Sequence, residues 1–370
     1  MSLRRHLMPN IFRHKAWRFI SQISIELLLV PLKVMFSITP KRKKQWVIGH
    51  HHGFCDNAKL VAQEIAKTRP DITLIWLKSN PEHVVDSNII SCTKYSIRGV
   101  YYQITSKVFI VSTGLNDIGR MTPYFNCYYF NLWHGWPIKK IGLDSKETSP
   151  SKNKLINTLY NLLYTRSNQR YHAFFCHNLE QEKIFQEAFG ISGEKTIVTG
   201  WPRLRKINST KISQLTFAPT WHIDNKTTVK LIENVIQAFS RQSSLEYLSI
   251  CLHPFDRELI EELNAEYNNE NIKFSCGDTI ENIEKSKLVI SDFSSIIIDA
   301  AVSYDCDVIL FYSDIDQYVR ERGIYKEFLG LMNNHVDLNS SFNKYDIEIA
   351  TSNRNCTKKI INHIDSFVND

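Results

Sequence analysis

The chain contains no CxxC pair, no GxGxxG fingerprint behind its first apolar run and no GxxxxGK[ST] loop. A zinc ribbon, a nicotinamide-binding turn and a P-loop therefore have no foothold in it. Its eight cysteines, at positions 55, 92, 127, 176, 251, 276, 306 and 356, stand at least 25 residues apart. That is too sparse for a disulfide scaffold and reads as a cytosolic protein with reduced thiols. Internal repeats and low-complexity tracts are missing as well, and no small-residue cleavage site follows the N-terminal apolar stretch, as a cleaved signal peptide would require. What is present is 370 residues with 43% hydrophobic and 22% charged side chains, ordinary globular usage at a length that favours two domains.

The formal charge of +7 is concentrated at one end. Residues 1–44 carry ten Lys or Arg against the single acid Glu26, whereas the remaining 326 residues carry 35 basic and 37 acidic side chains. A body without positive excess argues against a nucleic-acid-binding surface. The basic end also holds an apolar stretch, Trp17 to Ile38, interrupted by Glu26, Pro31 and Lys33. A charge in mid-span is costly in lipid, so the stretch reads as an interfacial segment, held on an anionic cytoplasmic leaflet by apolar insertion and flanking cations. A helix packed on the body is the competing reading. The expected location is peripheral, on the cytoplasmic face of the cell membrane.

From Gln45 onward, short β-rich runs alternate with helical segments, which predicts an α/β fold with parallel sheets. Strands are expected at Trp46 to Ile48, Ile72 to Trp76, Val108 to Val111, Tyr128 to Leu132, Ala173 to Cys176 and Thr196 to Val198, with helices such as Ala58 to Lys67 and Leu179 to Phe189 between them. After a polar stretch the alternation restarts at Leu215 to Ala218 and continues through Tyr247 to Leu252, Ile272 to Phe274, Leu288 to Ile290 and Val308 to Phe311. This places a boundary near 206: a basic and apolar segment over 1–44, one α/β domain over 45–205 and another over 206–370, the last ending in a helix at Lys358 to Val368 that closes this domain or packs across both. Two such doubly wound Rossmann-like domains facing a cleft form the GT-B arrangement.

Four segments follow predicted strands: Trp133 to Pro137, Pro219 to Trp221, His253-Pro254 and Ser291 to Ser295. In open α/β sheets ligands bind outside the carboxyl ends of strands, so all four are candidates to line a crevice. Ser294 and Ser295 precede an apolar helical run ending in Asp299 and Ala300, where backbone N–H groups suit a phosphate; an ordinary helix cap explains the same residues. His253 alone reads as a core histidine. His134 differs because Trp133, Gly135, Lys139 and Lys140 share its short loop. The Asp305-Cys306-Asp307 and Asp314-Ile315-Asp316 pairs resemble a Mg²⁺-holding DxD but read as solvated loops. His50-His51-His52 also reads as a loop, since adjacent side chains on extended backbone point to opposite faces. The residues call for no metal and no cofactor.

In combination these residues resemble the CDP-glycerol glycerophosphotransferase family of teichoic acid and capsule polymer synthesis. The resemblance spans roughly Gly49 to Phe328. It is carried in order by Trp-His-Gly-x-Pro-x-Lys at Trp133 to Lys139 with Gly142 and Asp144, by Gly200 to Arg203, by Ala218 to Trp221 and by His253-Pro254. Ser291 to Ser295 with Asp299, and Arg322 to Tyr325, complete it. It implies an enzyme that transfers an alditol phosphate from CDP-glycerol or CDP-ribitol to a hydroxyl on a lipid-linked glycan or polymer, releasing CMP, with an acceptor-side first domain and a donor-binding second. The family's critical histidines match His134 and His253. Candidate donor-binding residues are Lys139, Arg203, Thr220, Trp221, Ser294, Ser295, Asp299 and Arg322. His134 is expected to act as base, and His253 with the Ser294–Ser295 helix end to hold the diphosphate. The sequence departs from the family pattern at Trp136 (usually Thr), at Leu204 and Arg205 (usually Asn-Asp), at His222 (often Arg) and at Leu252 (often basic). A CMP-sugar glycosyltransferase and a silent membrane scaffold are the competing readings.

Overall fold

A computed structural model describes residues 7–146, 149–151, 153–222, 225–253, 256–267, 269–277, 279–312, 315–328, 352 and 355–369. The chain divides into two compact units. The first comprises Met1–His134, Ile141–Arg203 and Ser352–Asp370; the second comprises Gly135–Lys140 and Leu204–Thr351.

The first unit begins with helix α1 (Leu7–Ile38) and continues through β1 (Arg42–Gly49), α2 (Asp56–Thr68), β2 (Thr73–Lys78), β3 (Ile90–Thr93), α3 (Ile97–Thr105), β4 (Ser106–Val111), β5 (Tyr128–Asn131), α4 (Lys154–Asn168), β6 (Ala173–Cys176), α5 (Leu179–Phe189) and β7 (Thr196–Val198). Its seven strands are all parallel, in the order β3-β2-β1-β4-β5-β6-β7. Strands buried on both faces need no alternation of polarity, which is why Trp46-Val47-Ile48 and Phe109-Ile110-Val111 are continuously apolar. Helix α5 starts where the Asn178 side chain accepts from the Gln181 N–H and stops at Gly190, whose φ of +61° suits a residue without a Cβ. The edge strand β3, Ile-Ser-Cys-Thr, was not anticipated: it is half-buried and owes its place to the ladder with β2 rather than to an apolar run.

The second unit repeats the plan with β8 (Ile212–Phe217), α6 (Asn225–Ser240), β9 (Tyr247–Leu252), α7 (Leu259–Glu266), β10 (Ile272–Cys276), α8 (Thr279–Lys285), β11 (Ser286–Ser291), α9 (Ile296–Tyr304), β12 (Asp307–Leu310) and α10 (Ile315–Glu321). Its five parallel strands run β10-β9-β8-β11-β12. Each sheet therefore reverses its winding once, between β1 and β4 in the first unit and between β8 and β11 in the second. Those are the switch points where parallel α/β sheets place ligands.

Two segments lie elsewhere than the sequence suggested. The C-terminal helix α11 (Cys356–Asn369) was expected with the second domain, but Ile360, Ile361, Ile364 and Val368 fill the first unit's core beside Trp46, Ile48, Phe130 and Phe175. Arg69, the residue after α2, also pairs with Asp365. Gly135–Lys140, expected with the first domain, belongs to the second unit, where it pairs with residues 323–325. Lys139 bridges Ile324 antiparallel, the Lys140 N–H donates to the Gly323 carbonyl at 3.1 Å, and the Tyr325 N–H donates to the Ile138 carbonyl at 3.1 Å. All eight cysteines are free thiols.

Helix α1 runs through Pro31 without a break. Glu26 and Lys33, the charges that interrupt its apolar stretch, pair with each other; Lys33 is buried and its ammonium lies 5.4 Å from the Tyr124 ring centroid. Ser37 accepts from the Tyr124 N–H at 2.8 Å. Opposite this docked side, Trp17, Leu27, Leu28, Met35 and Ile38 are exposed, and Trp17–Ile38 is long and apolar enough to cross a membrane by length and composition. A helix buried in a soluble core does not expose its apolar side chains this way. Helix α4 adds exposed Leu155, Leu159 and Leu162, and the Phe19 and Tyr160 rings meet edge-on at 5.2 Å.

Truncating a side chain of α11 tests its place in the first core. Ile364 is fully buried, so Ile364→Ala is expected to cost about 2–5 kcal/mol, read as a fall in the urea midpoint of the first unit.

Candidate active site

At the first switch point β1 ends in Gly49, and a Cβ there would meet the Asp117 carbonyl oxygen at 2.8 Å. Only glycine allows that approach. Asp117 in turn accepts the N–H groups of Ser112 at 2.9 Å and Thr113 at 2.7 Å, which fixes the loop after β4. The Ser112 carbonyl contacts His134 Nδ1 at 3.1 Å. A carbonyl can only accept, so Nδ1 carries the proton and Nε2 presents a lone pair. Burial lowers the His134 pKa from its ordinary value, outweighing the bond to Ser112 and the nearby Asp56 carboxylate. His134 is thus a neutral imidazole at physiological pH, the form a general base requires.

The loop carrying His134 is strained and clamped. Trp133 has φ +54°, a left-handed conformation that a bulky residue rarely adopts. Its ring packs against Phe185 and Phe189, and its N–H donates to Asn131 Oδ1 at 2.8 Å. Asn57, fully buried at the start of α2, donates to the carbonyls of Leu132 at 3.3 Å and Trp133 at 3.2 Å, and accepts from the Arg203 N–H at 3.1 Å. The Arg203 guanidinium donates to Asp56 and, at 2.6 Å, to the His134 carbonyl.

His50, Cys55 and Asp56 also lie close enough together to suggest a metal site. However, Nδ1 of His50 faces the His52 N–H at 3.1 Å and Cys55 Sγ at 3.4 Å, while Nε2 faces Asp56 at 3.2 Å. Both ring nitrogens of His50 are thus engaged by protein groups, and the cluster stands as a polar network. Burial disfavours charge on His50, but Asp56 and Cys55 together outweigh it and raise the pKa; Arg203 and His50 together hold Asp56 well below the carboxylate range against its own desolvation. The reading of His50 to His52 as a mere loop missed this network. Its position, directly after the first strand of the sheet, was the available signal.

The second switch point has a comparable centre. Asp292, fully buried after β11, accepts from the Thr220 N–H at 2.7 Å, the Thr220 hydroxyl at 2.8 Å, the Phe293 N–H at 2.7 Å and His222 Nε2 at 2.7 Å. These bonds hold Asp292 below its ordinary pKa despite complete burial. Asp292 lies in one of the segments expected to line a crevice but had no role assigned, and His222 was not expected at the site; the signal for both was again position, after β11 and β8. The Thr220 hydroxyl proton is spent on Asp292, so the expected hydroxyl contact with donor phosphates gives way to support of that carboxylate. Ser294 and Ser295 lead into α9, where the Ser294 hydroxyl accepts from the Ile296 N–H at 3.4 Å as a helix cap does, while the Ser295 side chain makes no capping bond.

The remaining expected residues lie around this centre. Arg322 stands over the Trp221 ring at 5.5 Å and the Tyr318 ring at 5.9 Å, Lys139 stands over Tyr318 at 5.8 Å, and the Phe293 and Tyr318 rings stack at 3.7 Å. Asp299 is buried in the first turn of α9. His253 is half-buried at the carboxyl end of β9, its carbonyl accepting from the Asp256 N–H at 2.8 Å; Pro254 lies outside the described residues. His134 belongs to the first unit and His253 to the second. Of the DxD pairs, Asp305 and Asp307 flank the start of β12, the end of the strand away from the switch point, and Asp314 lies outside the described residues.

Ionisable side chains gathered at the switch points of two parallel sheets mark the chain as an α/β enzyme. It belongs to the CDP-glycerol:poly(glycerophosphate) glycerophosphotransferase family, whose profile matches residues 32–341. Among curated relatives, a teichoic acid glycerol-phosphate transferase of Staphylococcus aureus is 25% identical over 75% of this chain and 76% of its own length. A teichoic acid poly(glycerol phosphate) polymerase of Bacillus spizizenii is 26% identical, covering 80% of each chain. A variant of the wall teichoic acid polymerase TagF has a similar fold, with TM-score 0.69 at 18% identity over 97% of this chain and 98% of that one. The reaction is therefore glycerophosphate transfer from CDP-glycerol, at phosphorus, rather than attack on the sugar carbon of a CMP-sugar.

The state of His134 is directly measurable. In NMR spectra of histidine-labelled protein, one ring is expected to titrate with a midpoint below 6.5 and to vanish in His134→Gln; a midpoint above 6.5 would contradict the neutral imidazole.

Proposed function

We propose that the two units divide the work as in a GT-B transferase, the first handling the acceptor and the second the CDP-glycerol donor. The observation that carries this reading is His134: a half-buried, neutral imidazole whose Nδ1 proton is committed to the Ser112 carbonyl, leaving Nε2 as a proton acceptor. Nε2 takes the proton of the acceptor hydroxyl as its oxygen attacks the β-phosphorus of CDP-glycerol. The phosphoanhydride bond to CMP breaks, and CMP leaves with the bonding electrons. Because phosphoryl transfer is governed by positioning and charge stabilisation, the second unit's task is to hold the diphosphate. His253, the N-terminal end of α9 at Ser294 and Ser295, and the Lys139 and Arg322 cations are suited to it. The acceptor is a hydroxyl of a lipid-linked glycan or a growing teichoic or capsular polymer, and a CDP-ribitol donor is the variant to compare.

A lipid-linked acceptor calls for residence at the membrane. The exposed apolar side chains of α1 and α4, with ten basic residues among the first 44, fit peripheral attachment to an anionic cytoplasmic leaflet. Lying on the bilayer suits α1 better than spanning it, since Lys33 and Ser37 tie the helix to the body.

Purified protein given CDP-glycerol and membrane acceptors is expected to release CMP and form a phosphodiester. His134→Ala and His253→Ala should each lower turnover by about 10² or more, the usual scale for acid–base groups, and near-normal turnover of either would remove that residue from the mechanism. Deleting residues 1–44 is expected to abolish cosedimentation with anionic vesicles. Persistent sedimentation would shift the attachment site elsewhere.

A further inference from the structure

We propose that Arg203 is a positioning residue that sets the pose of His134, rather than a cation for the donor phosphates. The inference rests on the reading of His134 as the base. Arg203 is held at two levels. Its backbone N–H is bound by Asn57, the same side chain that holds the Leu132 and Trp133 carbonyls, so Arg203 and the histidine loop share one anchor. Its guanidinium joins the Asp56 carboxylate to the His134 carbonyl, with only 14% of the side chain exposed. A charged group so engaged is poorly placed to follow a mobile diphosphate, and the planar fork suits fixed, directional partners.

His134 is thereby gripped from both ends: the carbonyl by Arg203 and ring Nδ1 by Ser112. The residue before it, Trp133, sits at a positive φ that relaxes unless its surroundings over-determine it. Losing the grip on the His134 carbonyl frees the His134–Gly135 peptide to rotate, which shifts the His134 backbone and swings the imidazole away from the attacking hydroxyl. The donor is not touched by this change. The expected signature is a loss in kcat without a loss in donor binding.

The test is steady-state kinetics of Arg203→Lys with CDP-glycerol varied at saturating acceptor. A single nitrogen, Nη1, serves both partners, and a lysine, whose stem is one bond shorter, keeps the charge without reaching that point. Kcat is expected to fall at least tenfold with the donor KM within twofold of wild type, and added guanidinium to restore part of the loss in Arg203→Ala. A raised donor KM, or an unchanged kcat, overturns the proposal. If Arg203→Lys does not fold, Arg203→Gln, which leaves Asp56 paired with His50, carries the same test. His134→Ala is measured alongside. If His134→Ala is inactive while Arg203→Lys keeps its kcat, only the positioning inference fails; if His134→Ala stays active, the base reading itself has failed.

Discussion

The first unit depends on one knot of polar contacts under its switch point. Asn57 ties together the start of α2, the carbonyls at the end of β5 and the backbone of Arg203, segments drawn from three widely separated stretches of chain. Asp56 beside it neutralises Arg203 and His50. These groups are buried or nearly so, where an unpaired charge or amide would be expensive, so the network persists only if all its members are present. The strained Trp133 and the orientation of His134 are consequences of that network rather than local preferences of the chain.

The second unit solves a similar problem with different residues. Asp292 gathers the loop after β8 through Thr220 and His222 and steadies its own turn through Phe293. In both units a carboxylate stands where the winding of the sheet reverses, half-buried in Asp56 and fully buried in Asp292, with a histidine bonded to it. Parallel strands point several loop starts toward one end of the sheet, and the switch point leaves a gap between neighbouring loops that helices do not fill. A carboxylate there can organise the backbone N–H groups and side chains of both loops at once.

Much of the architecture was legible in the residues. Runs such as Val108 to Val111 and Tyr247 to Leu252 are apolar without alternation because both faces of a parallel strand are covered, and they are strands. The loop after β5 was legible too, through the crowding of Trp133, His134, Gly135 and Lys139. Less legible were residues whose importance comes from their partners. Arg203 and Thr220 suit phosphate contacts as a cation and a hydroxyl, but residue type alone does not reveal that their side chains hold Asp56, the His134 carbonyl and Asp292. His50 looked like a loop histidine because extended backbone separates neighbouring side chains, and nothing in that local pattern reveals a carboxylate six positions later folding back onto its ring.

The amino-acid order alone determined the α/β alternation, the concentration of basic and apolar residues at the N-terminus, and the ordered motifs that mark the family, since all three arise from short-range periodicity or residue type. Tertiary structure decided that α11 completes the first core, that residues 135–140 pair with residues 323–325 in the second unit, and which polar side chains are already spoken for. Those outcomes depend on contacts between segments tens to hundreds of residues apart. Such contacts are selected by burial and by the need to satisfy every polar group inside, a condition on the whole folded unit that no local stretch of sequence expresses.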